Sequence, residues 1–210
     1  MQHLPRMGGS LSTEMQLGGS LESPTVEGEV SLLRSWFGGA FLGTANFQVE
    51  EVGESQVRIT GQIFQRRITL DCLLSTRAPY DAEISVTLQR IEVDRFAPVL
   101  AEQYGVRGWV SGRLDYKGSL LGDKKPMVMA HLSEAEVIVD NEDENGRPSP
   151  IRLRNRTPLS LSYDGTTLTF LEKGTVRGPT GDFSLSGSGS PDALAFELEG
   201  GVAVALMQPY

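Results

Sequence analysis

The sequence predicts an all-β protein built on a continuous antiparallel sheet with one apolar face. Short runs alternate apolar and polar residues, as in Val110-Ser-Gly-Arg-Leu-Asp-Tyr-Lys-Gly-Ser-Leu120, Leu159-Ser-Leu-Ser-Tyr163 and Gly181-Asp-Phe-Ser-Leu-Ser-Gly187. A period of two sends successive side chains to opposite faces of a strand. The runs are punctuated by many of the 24 glycines and 11 prolines, the residues that end strands and make turns. Between Gly105 and Met207 no helical spacing interrupts them. The alternative that alternation equally allows is a closed β-sandwich, in which the same apolar residues meet a second sheet.

Taken in order, residues 1–10 read as a disordered start. A first β-sheet segment covers 11–93, with strands at about 11–17, 24–33, 41–52, 55–64, 67–75 and 82–93. Within it Val57/Ile59/Ile63, Ile68/Leu70/Cys72/Leu74 and Ile84/Val86/Leu88 each mark one face. The stretch Gly61-Gln-Ile-Phe-Gln-Arg-Arg67 allows a hairpin bend. A short amphipathic helix is expected over 94–105 (near 94–104), with Asp94 as N-cap, Phe96, Val99, Leu100 and Tyr104 at helical spacing, and Gly105 as terminator. Pro98 falls in its first turn, where a missing N–H is tolerated. Such a helix either caps an open end of the sheet or serves as an ordinary connector.

A second β-sheet segment, continuous with the first, covers 106–207. Its strands are expected at 106–118, 126–139, 150–154, 158–163, 166–171, 174–177, 181–187, 193–199 and 201–206. Asn145-Gly146 and Asp164-Gly165 are tight-turn signals. Gly19-Ser-Leu-Glu-Ser-Pro-Thr-Val26 is echoed, with a two-residue insertion, by Gly118-Ser-Leu-Leu-Gly-Asp-Lys-Lys-Pro-Met-Val128. Recurrence at this distance points to a modular, extendable sheet.

The net charge of −8 argues against nucleic acid and against simple electrostatic docking on anionic headgroups. Cys72 is the one cysteine, so no internal disulfide can form, and its place in an alternating run makes it a packed thiol. His131 is out of phase with Val128, Ala130 and Leu132 and belongs on the polar face. It has no companion at metal-ligand spacing, so no metal site is expected. Asp140-Asn-Glu-Asp-Glu-Asn-Gly146 resembles a calcium loop, but Arg152 stands where a bidentate Glu is needed, and the stretch reads as a solvated turn. Ser186-Gly-Ser-Gly-Ser190 lacks the spacing and strand-to-helix context of a nucleophile elbow. Trp36 and Trp109 read as packing anchors, and Arg66-Arg67 as a solvated turn pair. No enzyme activity and no cofactor are expected. Residues 1–10 lack the apolar core of a secretory signal, and the apolar stretch Leu32–Leu42 is too short to span a bilayer.

The second half also carries a recognisable layout. Val106-Arg-Gly-Trp-Val-Ser-Gly-Arg-Leu-Asp-Tyr-Lys-Gly-Ser-Leu120 leads to Ala130-His-Leu-Ser-Glu-Ala-Glu-Val137 and then Ile151-Arg-Leu-Arg-Asn-Arg-Thr-Pro-Leu-Ser-Leu-Ser-Tyr-Asp-Gly165. Gly178-Pro-Thr-Gly-Asp-Phe-Ser-Leu-Ser-Gly-Ser-Gly189 and Leu194-Ala-Phe-Glu-Leu-Glu-Gly-Gly-Val-Ala-Val-Ala-Leu-Met207 complete it, and the stretch from Leu17 fits the same pattern. This layout resembles the repetitive periplasmic region of the TamB family, the inner-membrane component of a translocation and assembly module, related to AsmA-like proteins. The resemblance implies a long curled sheet, a β-taco with an open apolar groove. It implies a periplasmic location within an inner-membrane-anchored protein, phospholipid acyl chains as cargo, and an outer-membrane barrel assembly partner, in outer-membrane biogenesis and protein secretion. The family's membrane anchor and C-terminal domain are not seen, so an internal fragment is expected.

The expected groove lining is collective: Val57, Ile59, Ile68, Leu70, Ile84, Val86, Leu88, Leu159, Leu161, Leu168, Phe170, Phe183, Leu185, Leu194, Phe196 and Leu198. The alternatives are a non-enzymatic scaffold that binds outer-membrane protein strands at its sheet edges, and a structural β-module with no ligand.

Overall fold

Every alternating run up to residue 199 becomes a strand, and the strands lie in one antiparallel sheet that does not close into a barrel. The protein is seen here in a computed structural model that describes residues 7–19, 24–37, 40–53, 55–96, 101–103, 105–121, 125–142, 145–179, 181–190 and 193–200. The expected strand at 201–206 lies outside them. The first six strands are β1 (Met7–Gly19), β2 (Pro24–Phe37), β3 (Ala40–Glu51), β4 (Gln56–Ile63), β5 (Ile68–Ser75) and β6 (Asp81–Glu92). After α1 (Val93–Phe96) come β7 (Val106–Ser119), β8 (Met127–Val139), β9 (Ile151–Asn155) and β10 (Leu159–Tyr163). The last are β11 (Leu168–Phe170), β12 (Gly174–Gly178), β13 (Gly181–Ser190) and β14 (Ala193–Gly200). The strand order is β1-β2-β3-β4-β5-β6-β7-β8-β10-β11-β13-β12-β9, with β14 also beside β13 and β9 also beside β8.

Two local readings change. Strand β1 starts at Met7, so residues 7–10 belong to the sheet rather than to a disordered start. In the helical segment, 93–96 and 101–103 are helical, and Asp94 lies inside the first turn rather than at the N-cap. Gly105 does terminate it: at φ 61° its N–H donates to the Ala101 carbonyl, 3.1 Å away. The two halves of the sequence echo are equivalent connections, β1 to β2 and β7 to β8.

The chain falls into two compact units, residues 1–89 with 114–127, and residues 90–113 with 128–210. In the first unit, β2 carries a bulge. Leu32 faces Ala45, but Ser35 faces Gly43, so β2 has one residue more than β3 between those pairs. Arg34 takes the left-handed conformation there, at φ 52°, and the buried Ser35 hydroxyl donates to the Gly43 carbonyl at 2.9 Å. A bulge of this kind bends its strand and raises the local twist.

In the second unit, β9 and β10 run the same way against β8, and β11 and β12 run the same way against β13. The pairs Leu161↔Phe170 and Asn155↔Val176 keep one register, so the two rows are one long hairpin interrupted at 156–158 and 171–173. Its tip is an Asx turn in which Asp164 Oδ1 accepts from the Thr166 and Thr167 N–H groups at 2.9 and 2.8 Å.

Against β8 the register slips. Leu159 faces Leu132 but Leu153 faces Val137, and the exposed pair Ser133 and Glu134 marks the break in alternation. The Asn155 side chain fills the slip. Its Oδ1 accepts from the Ala135 N–H at 2.6 Å, and its Nδ2 reaches the carbonyls of Thr157 (2.9 Å), Ser133 (3.1 Å) and Leu132 (3.4 Å).

Candidate functional site: a one-sided apolar face

Residues directly opposite in a ladder share a face. In the first unit Val57 faces Leu74, Ile59 faces Cys72, and Ile63 faces Ile68. Ile68 in turn faces Leu88, Leu70 faces Val86, and Cys72 faces Ile84. Val57, Ile59, Ile68, Leu70, Ile84, Val86 and Leu88 therefore lie together on one face. The face continues through pairs that the expected lining did not include: Val49↔Ile59, Phe47↔Gly61, Val30↔Phe47 and Leu11↔Leu32. Their signal was available as the alternation of β1 to β3. Gly61 lets the Phe47 ring lie over the strand, since a Cβ there would come within 2.2 Å of Phe47 Cδ1. The opposite face carries Glu14, Glu27, Glu29, Gln48, Glu50, Arg58, Thr60, Asp71, Glu83 and Thr87.

The second unit has a matching face. Leu159, Leu161 and Tyr163 face Leu132, Ala130 and Val128; Leu161 faces Phe170, and Tyr163 faces Leu168. Val176 faces Phe183, and Leu185 faces both Gly174 and Leu198. Phe196 and Leu194 hold the register positions opposite Gly187 and Gly189. All nine expected residues of this unit thus fall on one face by register. Phe170 and Phe196 meet edge to face, with centroids 6.1 Å apart and planes at 87°. His131 sits on the other face, exposed, its Nδ1 3.1 Å from the Ser160 hydroxyl.

Among the described residues, neither face is buried as deeply as a sandwich core. The buried apolar residues are Ala45, Phe64, Cys72, Ala82, Ile91, Ala135 and Val176, and no large side chain among the described residues is fully buried. Among the expected lining residues whose side chains are described, most are half-buried by their neighbours, and Leu168 (40%) and Phe196 (47%) are exposed. Leu11 is 65% exposed at one end of the first face.

Cys72 behaves as a packed thiol, its pKa pushed up first by burial and then by the Asp71 charge. Glu51 is a charged residue on the first unit's apolar face, opposite Val57, with a buried Oε2 that has no hydrogen-bond partner.

Ion pairs stitch the polar faces. Arg58 donates to both Asp71 carboxylate oxygens at 2.9 and 2.6 Å, a bidentate pair that raises the Arg58 pKa. Hydrogen bonds donated to Glu83 and Glu199 likewise raise the pKa values of Lys117 and Lys173. Trp109 stacks under the Arg90 guanidinium, 4.4 Å from its ring centroid, and Arg67 lies over Phe64 at 5.8 Å.

Fold and site together define an all-β protein whose sheet has an apolar face that is incompletely buried among the described residues. No protein-family model, curated protein or solved structure matches the chain.

Proposed function

We propose that this chain is a stretch of a TamB- and AsmA-like periplasmic bridge. Its apolar face carries phospholipid acyl chains between inner and outer membranes and so serves outer-membrane protein assembly and secretion. The role is non-enzymatic and needs no cofactor or metal. It works through a barrel-assembly partner at the outer membrane. The observation that supports this reading is the apolar face of the first unit, continuous across β1 to β6, with no large described side chain fully buried. Six strands at about 4.8 Å spacing give roughly 24 Å of face. Ten methylenes laid on it would gain about 8 kcal/mol.

The test is organic extraction of the protein purified from a membrane-bearing host, followed by lipid mass spectrometry. The parent chain should carry phospholipid. Leu70→Asp, at the centre of the first face, should abolish it, and Leu161→Asp should do so in the second unit. Thr69→Asp, on the polar face of the same strand, should retain it and serves as the folding control. No phospholipid on the parent, or equal amounts on Leu70→Asp, refutes the groove. Crosslinks from an edge strand to nascent barrel proteins, without lipid, would favour the scaffold.

A further inference from the structure

The polar face of the second unit holds a concentration of guanidinium groups that the chain's net charge of −8 conceals. Arg152 and Arg154 alternate outward from β9, and Arg156 follows immediately. Strand β12 brings Arg177 directly opposite Arg154. Like charges directly opposite in a ladder disfavour the sheet, yet these side chains share few carboxylates. Asp182 Oδ1 accepts from Arg177 Nε at 2.9 Å and also answers Arg156 Nε at 3.5 Å. Glu136 lies 3.5 Å from Arg152, although register places it opposite Arg154. Arg154 forms no ion pair with any described residue. Two adjoining concavities open here, one of 310 Å³ lined by Arg154, Asn155, Arg156 and Arg177, the other of 410 Å³ where Arg152, Arg154 and Arg177 outnumber the single carboxylate of Glu136. Both include the opposed pair Arg154 and Arg177.

We propose that Arg152, Arg154, Arg156 and Arg177 form a binding site for a phosphate-type oxyanion. A guanidinium presents a planar fork of N–H donors that matches two oxygens at once. A carboxylate ligand offers two oxygens and satisfies one fork. A phosphate offers three or four, enough to bridge Arg154 and Arg177 across the ladder while Arg152 and Arg156 add charge from either side. The bound anion would also remove the repulsion between the opposed pair. Phosphate chemistry has two sources: a soluble phosphate, with its three or four free oxygens, or a lipid headgroup, whose phosphodiester keeps two free oxygens on a tetrahedral phosphorus, one for each of Arg154 and Arg177. The site lies on the face opposite the apolar one, so it stands whether or not acyl chains bind there.

Two probes separate the sources: calorimetric titration with inorganic pyrophosphate, and flotation with phosphatidylglycerol vesicles against phosphatidylcholine vesicles. Saturable pyrophosphate binding without flotation identifies a soluble phosphate. Flotation on phosphatidylglycerol alone, weakened by added salt, identifies a headgroup. In either case Arg154→Gln with Arg177→Gln should weaken binding roughly tenfold or more, and Arg154→Lys should restore part of it. Arg58→Gln in the first unit and Leu70→Asp on the apolar face should leave pyrophosphate binding unchanged. The double variant should melt close to the parent, because relief of the opposed charges offsets loss of the exposed Arg177–Asp182 pair. Absence of both kinds of binding, or binding undiminished in the double variant, overturns the site.

Discussion

Asn155 fills the one-residue register slip against β8, and replacing it tests that role. Its Oδ1 accepts one bond, from the Ala135 N–H. Its Nδ2 has two hydrogens shared among three carbonyls, so two full bonds are the most it can make. The 3.4 Å contact to Leu132 is the weakest and is counted as nothing. Three bonds at about 1 kcal/mol each give about 3 kcal/mol for Asn155→Ala. The carbonyls of Ser133 and Thr157 belong to exposed residues and can turn to water, which reduces the loss. Ala135 is buried, at 8% exposure, so its N–H is left without a partner and adds to it. The expected cost is roughly 2–4 kcal/mol. Asn155→Asp keeps the acceptor for Ala135 but replaces both donors with a charge facing carbonyl oxygens, and should cost as much at neutral pH. Amide hydrogen exchange is the assay of choice, because it reads unit by unit without assuming a single unfolding transition. The Ala135 amide and its neighbours in β8 and β9 should lose protection while β4 and β5 keep theirs. Protection of Ala135 unchanged in both variants would refute the latch.

Gly187 sits at φ 114°, and a Cβ there would come within 2.1 Å of the Ala195 carbonyl oxygen. Gly187→Ala should therefore unfold the β13–β14 pair in a melting experiment, whereas Gly146→Ala, at φ 70° with open space around it, should cost only about 1–2 kcal/mol. Burial raises the Cys72 pKa, so the folded state holds the thiol proton more tightly than the unfolded chain. Its contribution to stability is complete below the ordinary thiol pKa of about 8.5 and declines as pH rises through the higher folded value. Urea midpoints measured up the alkaline range should fall less steeply in Cys72→Ala than in the parent, and identical slopes would contradict the assignment.

Face assignment was legible in the sequence because a strand's phase is a property of that strand alone. Ile68, Leu70 and Cys72 point one way whatever pairs with them, and the ladder only had to align those phases. Bulges were not legible. Arg34 and Arg90 take left-handed conformations inside strands, at φ 52° and 49°, and nothing local to either marks it. The register slip at Asn155 depends on β8 lying beside both β9 and β10, a long-range fact. The arginine cluster was half visible: Arg152, Arg154 and Arg156 recur at the strand period. Arg177 joins them through the register of the hairpin about Asp164-Gly165, which had to persist across the interruptions at 156–158 and 171–173.

The shallow burial of the described side chains also changes where stability resides. A sandwich concentrates it in a shared core, so that one cavity-forming substitution is felt throughout. Here no large described side chain is fully buried. Cross-strand pairs contribute about 0.2–1 kcal/mol each. The polar face works against the sheet in places, since Glu14 opposes Glu29 and Glu27 opposes Glu50. A sheet held by many small terms tolerates such oppositions one at a time. It has little reserve where backbone groups lose their partners, and so the largest effects are expected at Asn155 and Gly187 rather than among the leucines. The same distribution leaves the apolar face free to exchange its own contacts for those of a ligand without dismantling a core.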